Sequence, residues 1–358
     1  MRVLHVDPER GWGGGETQVV ALLRALGARG HECRLAADPA GALARAASAL
    51  GVPVLALRVR NHLDLPAAVA LRRLARGHEV VHFHTSRAHA LAPLCRGLGA
   101  RLVVTRRMDY VPSGGPYARF LYNMAVDVVI AISEGVRSAL LRAGVRAERI
   151  RVVPSGVDPS RLVAPAGARE RLRREWNVDP ASVVVLVPGV LERRKGHAVL
   201  LAAAERLARS RRDLHYVLCG DGREAAVLRR AAERLDGSIR LLGFRDDIPA
   251  CLAAADVVAL PSLHEGLGVA ALEAMAAERP VVASRVGGLA EAVVPEETGL
   301  LVPPGDATAL AAALGRLADD AALRVRLGRG GRARVLGRYS NEQMADGTLA
   351  CYGDAACR

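Results

Sequence analysis

Lysine is nearly absent from this chain. Of its 50 basic residues only Lys195 is a lysine, and the others are arginine. So complete a bias reads as the imprint of a GC-rich genome rather than as selection at each site. Aromatic residues make up only 3% of the sequence, so the core must be built from Leu, Val and Ala, and few rings are available for stacking bases. With no zinc-finger spacing and no RNA-binding signature either, nucleic acid is the weaker reading of the partner. No apolar run reaches the roughly 18 residues of a membrane span. The best candidates, 125–132 and 251–261, are short and contain Asp127 and Asp256. The opening MRVLHVDPERGW meets charge by position 7 and lacks the apolar stretch of a secretory signal. The six cysteines (Cys33, Cys95, Cys219, Cys251, Cys351 and Cys357) form no C-x-x-C pair. They read as reduced thiols of a cytoplasmic protein, several of them buried in strands or helices.

What is present is ordinary for a globular protein: 51% hydrophobic and 24% charged residues over 358 positions. That balance excludes disorder as the main state, and the length suggests about two domains. The net charge of +13 points to anionic partners, either phosphorylated substrates or an anionic membrane face. Short apolar runs at 2–6, 33–37, 54–57, 80–84, 101–105, 126–132 and 151–153 read as strands, with amphipathic helical stretches such as 16–26 and 133–143 between them. A polar, Arg-rich stretch follows Pro154-Ser155-Gly156 and runs from about 158 to 179. A second series then gives strands at 182–187, 214–219, 239–242, 257–260, 281–284 and 299–302. Helices fit 196–208, 223–234, 246–253, 268–276 and 307–317, and a long helical pattern over 332–352 breaks near Tyr339 and Ser340. The expected fold class is α/β. Two Rossmann-like domains, about 1–160 and 180–338, would face each other across an interdomain cleft at the carboxyl ends of their strands.

Three glycine-punctuated turns carry candidate chemistry. The first, Gly11-Trp12-Gly13-Gly14-Gly15-Glu16-Thr17, follows a strand and opens a helix. Glycines let backbone approach an anion where a helix N-terminus offers free N–H groups. It is neither G-x-G-x-x-G nor a Walker A loop, and a plain tight turn fits it equally. The second turn runs from Val187 to His197 and sets Arg193, Arg194 and Lys195 at a helix N-terminus. Positive charge there opposes the helix dipole unless an anion binds. A diphosphate would resolve the conflict, while a solvated basic turn is the simpler reading. The third turn is the most specific. A strand ends at Leu260, a loop of Pro261-Ser262-Leu263-His264-Glu265-Gly266-Leu267-Gly268 follows, and the next helix carries Glu273. Its N–H groups suit phosphate, and its carboxylates can accept hydrogen bonds from sugar hydroxyls.

These residues resemble the retaining glycosyltransferases of family 4, whose fold is the two-domain GT-B type. The likeness covers nearly the whole chain. Residues 13–16 resemble the family's N-terminal glycine loop, and Ser133-Glu134 with Val153-Pro154-Ser155-Gly156-Val157-Asp158 resembles the end of its first domain. Gly220-Asp221-Gly222 and Gly243-Phe244 match its nucleotide-side loops. Glu265 and Glu273 match its E-x7-E pair, and the run Thr298 to Asp306 matches its C-terminal signature. The resemblance implies a nucleotide-diphosphate sugar as donor, held mostly by the second domain. Lys195, with Arg193 and Arg194 beside it, would meet the diphosphate. Glu273 would bind the ribose, and Glu265 would bind the transferred sugar. The N–H groups from Gly266 through Leu267 to Gly268 would hold phosphates or sugar, and Gly243 and Phe244 would flank the base. Gly14 and Gly15 would approach the diphosphate from the first domain, and the final helix, about 340–358, would pack back on that domain. No metal and no other cofactor is implied, because basic residues would replace a cation.

Two positions depart from the family pattern. Val190 stands where the family often has Arg, and Arg107 stands where it often has His. An arginine cannot serve as a base. It can hydrogen-bond donor sugar or meet an acidic acceptor, and a front-face retaining mechanism needs no protein base. His84, Arg106, Arg107 and Asp109 are the acceptor-side candidates, with a plain surface loop equally open for Asp109. His82, His84 and His89 suggest metal, but spacing supplies no suitable third ligand, so burial or a place at the sheet end is the better reading. Asp7 would touch ligand or cap its turn. The arginines of the first domain suggest a glycolipid or polysaccharide acceptor at an anionic inner membrane face, with ordinary solvated helix faces as the alternative. A sugar-nucleotide epimerase, a phosphorylase or a non-catalytic nucleotide-sugar-binding subunit would use the same architecture.

Overall fold

The structure is a computed structural model that describes residues 1–112, 115–208, 210–235 and 237–353. The chain divides into two units. Met1–Gly156 and the chain from Asn341 onward form the first, and Val157–Ser340 forms the second. Each is built on one all-parallel sheet.

The first sheet contains β1 (Arg2–Val6), β2 (Glu32–Ala37), β3 (Val54–Ala56), β4 (Val80–Phe83), β5 (Arg101–Arg106), β6 (Val128–Ala131) and β7 (Ile150–Val152). Their order is β3-β2-β1-β4-β5-β6-β7. The second sheet contains β8 (Val183–Pro188), β9 (Leu214–Cys219), β10 (Ile239–Gly243), β11 (Val257–Leu260), β12 (Val281–Ser284) and β13 (Gly299–Val302), in the order β10-β9-β8-β11-β12-β13. The sequence explains the architecture. A run such as Val183–Pro188 is apolar and buried at every position, as a strand covered on both faces requires. Every strand expected from the sequence is present, with ends moved by a residue or two.

Both sheets reverse their order beside their first strand, between β1 and β4 and between β8 and β11. Loops leaving the carboxyl ends there run in opposite directions and open a crevice, the usual place for a ligand in an open parallel sheet. Register aligns the strand ends: His5 pairs with His82 and Val6 with Phe83 in the first unit, and Val258 with Leu186 in the second.

The helical pattern of 332–352 resolves into two helices. One is Ala321–Arg338; the other, Asn341–Gly353, buries Met344, Ala345, Cys351 and Tyr352 in the core of the first unit. Arg29 ties it to helix Gly14–Ala28 through Asp346 at 2.9 Å. The Arg-rich stretch 158–179 is no linker. Its helix Ala168–Glu175 packs on helix Ile248–Ala254. There Arg173, almost fully buried, and Arg169 both grip Asp256, whose Oδ2 also accepts the Val184 N–H. Cys33, Cys95, Cys219, Cys251 and Cys351 are buried free thiols, and Cys357 lies outside the described residues. Among the described residues no helix is long and apolar enough to cross a membrane.

Candidate active site

In the second unit the loops that follow β8 and β11 meet. The chain leaves Pro188, makes the turn Arg193–Lys195 and enters helix His197–Leu207 through Gly196. Gly196 has φ of +68°, and a Cβ there would lie 1.9 Å from the Pro261 carbonyl oxygen. Only glycine permits that approach. The N–H groups of Leu263 and His264 donate to the Arg194 carbonyl at 2.7 and 3.3 Å. This seam brings Lys195 Nζ within 2.5 Å of Glu265 Oε2, onto which Ser262 Oγ also donates at 3.3 Å. The two charged side chains are only 15% and 12% exposed, so their attraction is little screened. Arg194 is spent on Glu192 at 2.9 Å, while Arg193 is exposed.

Helix Val269–Ala276 begins at Gly268, whose φ of +85° and 2.4 Å clearance to Leu289 exclude a side chain. Leu267 buries its side chain, so it offers a ligand only backbone. One turn into the helix stands Glu273. Burial pushes its carboxyl up to about 7, and among the described residues no side-chain hydrogen bond or ion pair meets it. His197 is buried beside this cluster, and burial and the Lys195 charge hold its imidazole down at about 4. Gly243 ends β10 with φ of +72° and accepts the Gly220 N–H at 2.8 Å. Phe244 beside it is 65% exposed, a ring free to cover a ligand.

In the first unit Gly14 and Gly15 form the first turn of helix Gly14–Ala28, and a Cβ on Gly15 would touch Arg107 Cδ at 3.6 Å. Arg107 follows β5, and its Nη2 lies 3.5 Å from His84 Nδ1. His84 Nε2 in turn lies 3.0 Å from His5 Nδ1. Arginine has no acceptor, so His84 takes its proton on Nε2 and passes a hydrogen bond on to His5. Burial holds all three histidines of this cluster, His5, His82 and His84, well below their ordinary range, His5 at about 3. Asp7, at the end of β1, is 1% exposed, and burial and nearby Glu16 raise it to about 7 against the opposing pull of Arg107. Arg106 is buried and lies over the Tyr110 ring at 4.8 Å, so it braces this loop rather than facing a ligand. Asp109 is partly buried.

The third histidine that spacing along the chain did not supply comes from β1. The nitrogens of His5, His82 and His84 gather within 4.8 Å of one another. Their arrangement is a hydrogen-bonded stack. His82 spends Nδ1 on the Tyr352 hydroxyl at 2.7 Å and Nε2 on the Thr105 hydroxyl at 2.6 Å, and its ring lies 4.0 Å from that of His84. The signal that could have found His5 is the adjacency of β1 and β4, which any doubly wound order places at the reversal.

Comparison with known proteins agrees with this geometry. The family model described as Glycosyltransferase Family 4 matches residues 12–161, and that described as Glycosyl transferases group 1 matches residues 182–320. The lipopolysaccharide core biosynthesis glycosyltransferase LpsE of Rhizobium meliloti (strain 1021) is 30% identical over 343 residues, covering 94% of this chain and 95% of that protein. The D-inositol 3-phosphate glycosyltransferase of Salinispora arenicola (strain CNS-205) is 36% identical over 225 residues, covering 58% of this chain and 50% of that protein. The match thus spans about half the length of that relative. Among solved structures, Anabaena Alr3699/HepE in complex with UDP-glucose has a TM-score of 0.87 at 24% identity, covering 98% of this chain and 100% of that one. That likeness establishes the fold as GT-B. With both halves matched and a full-length relative at this identity, the chain belongs to glycosyltransferase family 4.

Proposed function

We propose that this protein is a retaining glycosyltransferase that moves a sugar from a nucleotide-diphosphate donor to a hydroxyl of a glycan or glycolipid. The observation that carries the reading is the cluster in the second unit: the chain's single lysine beside Glu265, at the sheet's reversal point. The names of the relatives and the UDP-glucose held by the Anabaena protein support it. Lys195 meets the diphosphate, with the exposed Arg193 as a second cation. Glu265 accepts hydrogen bonds from the transferred sugar, and Glu273 accepts them from the ribose. The N–H groups from Gly266 to Gly268 complete the cradle, and Gly243 and Phe244 flank the base. Gly14 and Gly15 offer N–H groups to the anion, and Arg107, with His84 behind it, serves the acceptor side.

In the reaction the bond from the anomeric carbon to the phosphate oxygen breaks, and a bond to the acceptor oxygen forms on the same face. The acceptor proton goes to the departing phosphate oxygen, and a nucleoside diphosphate leaves. Charge accumulates on that phosphate, so preorganised cation and N–H groups supply the main stabilisation, and no metal is required. Peripheral contact with an anionic membrane is part of the proposal. Leu63, Leu65 and Val69 stand exposed beside Arg58, Arg60, Arg73 and Arg76.

The test is a thermal-shift series with UDP, other nucleoside diphosphates and their sugars, with EDTA present throughout. Saturation at 100 times Kd should stabilise by about 2.7 kcal/mol. Failure of every nucleotide to shift the melt, or a shift abolished by EDTA, would overturn the donor assignment or its metal independence, respectively.

A further inference from the structure

The crevice of the first unit holds two opposite charges that do not pair. Asp7 ends β1 and Arg107 follows β5, on either side of the strand that leads to His84. The Asp7 carboxylate is 1% exposed, and its Oδ1 accepts the Glu9 N–H at 3.2 Å. Among the described residues no hydrogen bond to its other oxygen is found. Arg107 has one long contact to His84, and its Nε is buried without a partner. The two groups sense each other's charge, but among the described residues they form no ion pair within 4 Å. A buried carboxylate and a partly buried guanidinium left apart cost stability that a ligand between them can recover. Arg107 meets the His84–His5 chain on one side, and on the other it runs past Gly15, where a Cβ would lie 3.6 Å from its Cδ.

Resting on the glycosyltransferase reading above, we propose that Asp7 and Arg107 bracket one hydroxyl of the acceptor. The hydroxyl donates to Asp7 Oδ2 and accepts from the Arg107 guanidinium. A hydroxyl is the smallest group that both donates and accepts, so it satisfies both sides of the gap at once. An anionic group would meet Asp7 and, on the adjoining helix, Glu16 as like charges. The acceptor class at this point is therefore a neutral polyol or sugar ring, even if a charged group lies elsewhere on the molecule. His84 and His5 act through Arg107 as positioning residues.

The experiment uses the full chain labelled with [13C]aspartate. The Asp7 carboxyl resonance is identified by its loss in Asp7→Asn and, should that variant fold poorly, in Asp7→Glu. The groups facing Asp7 are Glu9, Glu16 and Arg107, and their charges are unchanged by a neutral additive. Glycerol, myo-inositol and methyl α-glucoside are added in turn at tenths-molar concentration. A hydroxyl donating to the ionised carboxylate lowers the pH at which Asp7 titrates, by about one unit for a tenfold preference for the ionised form. That shift should shrink in Arg107→Met. A titration unmoved by all three polyols overturns the clamp. So does a shift of equal size in Arg107→Met. A UDP thermal shift on the same sample reads the donor site separately, so loss of the clamp and loss of the glycosyltransferase reading are distinguished.

Discussion

Glu273 offers a test in which stability and function move in opposite directions. Its carboxyl is largely desolvated, meets no side-chain partner among the described residues, and rises from the ordinary 4.5 to about 7. A raised acid binds its proton more firmly in the folded chain. Its contribution is therefore fully present below pH 4.5 and is lost as pH rises toward 7. At about 1.36 kcal/mol per pH unit, the loss by pH 8 has a ceiling of about 3 kcal/mol. Glu273→Gln removes the titration and keeps the shape. Relative to the native chain, the variant should gain little at pH 4.5 and up to about 3 kcal/mol at pH 8. For a unit of this size each kcal/mol is about 2–4 °C in Tm. Under the proposed function, at pH 8, where the carboxyl is ionised, the same change also removes a charged acceptor from the ribose. A hydrogen bond to a charged group is worth about 1.5–3 kcal/mol, so UDP affinity should fall about tenfold or more. Differential scanning fluorimetry at pH 4.5, 6 and 8, with and without UDP, reads both effects. A stability gain independent of pH would refute the burial argument, and unchanged UDP affinity would refute the ribose assignment.

Two further outcomes follow from the same geometry. Lys195→Ala removes the ion-pair partner of the nearly buried Glu265 carboxylate and should cost about 1–3 kcal/mol. Adding Glu265→Ala should recover part of that in a melt, while donor turnover stays at least about a hundredfold down in both variants. Flotation with anionic vesicles should capture the protein at low salt and release it near 0.5 M, roughly where the Debye length falls toward a few ångströms. Arg73→Glu with Arg76→Glu should abolish capture, and capture indifferent to salt would discard the membrane contact.

The parallel sheets were legible because a doubly covered strand must be apolar throughout, and runs such as Val183–Pro188 are. The second-unit cluster was legible because its geometry depends on local loops whose glycines print their constraint in the sequence, Gly196 and Gly268 above all. Other features were hidden for separate physical reasons. Helices Ala42–Ala49 and Leu65–Ala75 are short and alanine-rich, so few large apolar side chains mark their buried faces in the sequence. The 158–179 stretch is polar and Arg-rich, yet Arg173 spends its charge on Asp256 inside the unit. No local pattern distinguishes an arginine satisfied by a distant carboxylate from one in water. The partnership of His5 with His84 depends on register between strands almost 80 residues apart, and the isolation of Asp7 depends on what surrounds it in space.

The two crevices prepare for ligand in opposite ways. In the first unit Asp7 and Arg107 form no ion pair with each other among the described residues, so a fitting hydroxyl divides no such pair. In the second, Lys195 and Glu265 satisfy each other, and an anion must divide them. A bare nucleoside diphosphate that takes the lysine removes the ion pair from Glu265, on which the Ser262 hydroxyl still donates. A nucleotide sugar takes the lysine and returns hydroxyls to the carboxylate, so the cost of breaking the pair is offset only while the sugar is attached. Transfer of the sugar removes those hydroxyls, and the ion pair then competes for its lysine again. On this argument the pair does not add to donor affinity. Under the proposed function it would instead discriminate substrate from product, favouring the intact donor over the diphosphate that must leave before the next cycle.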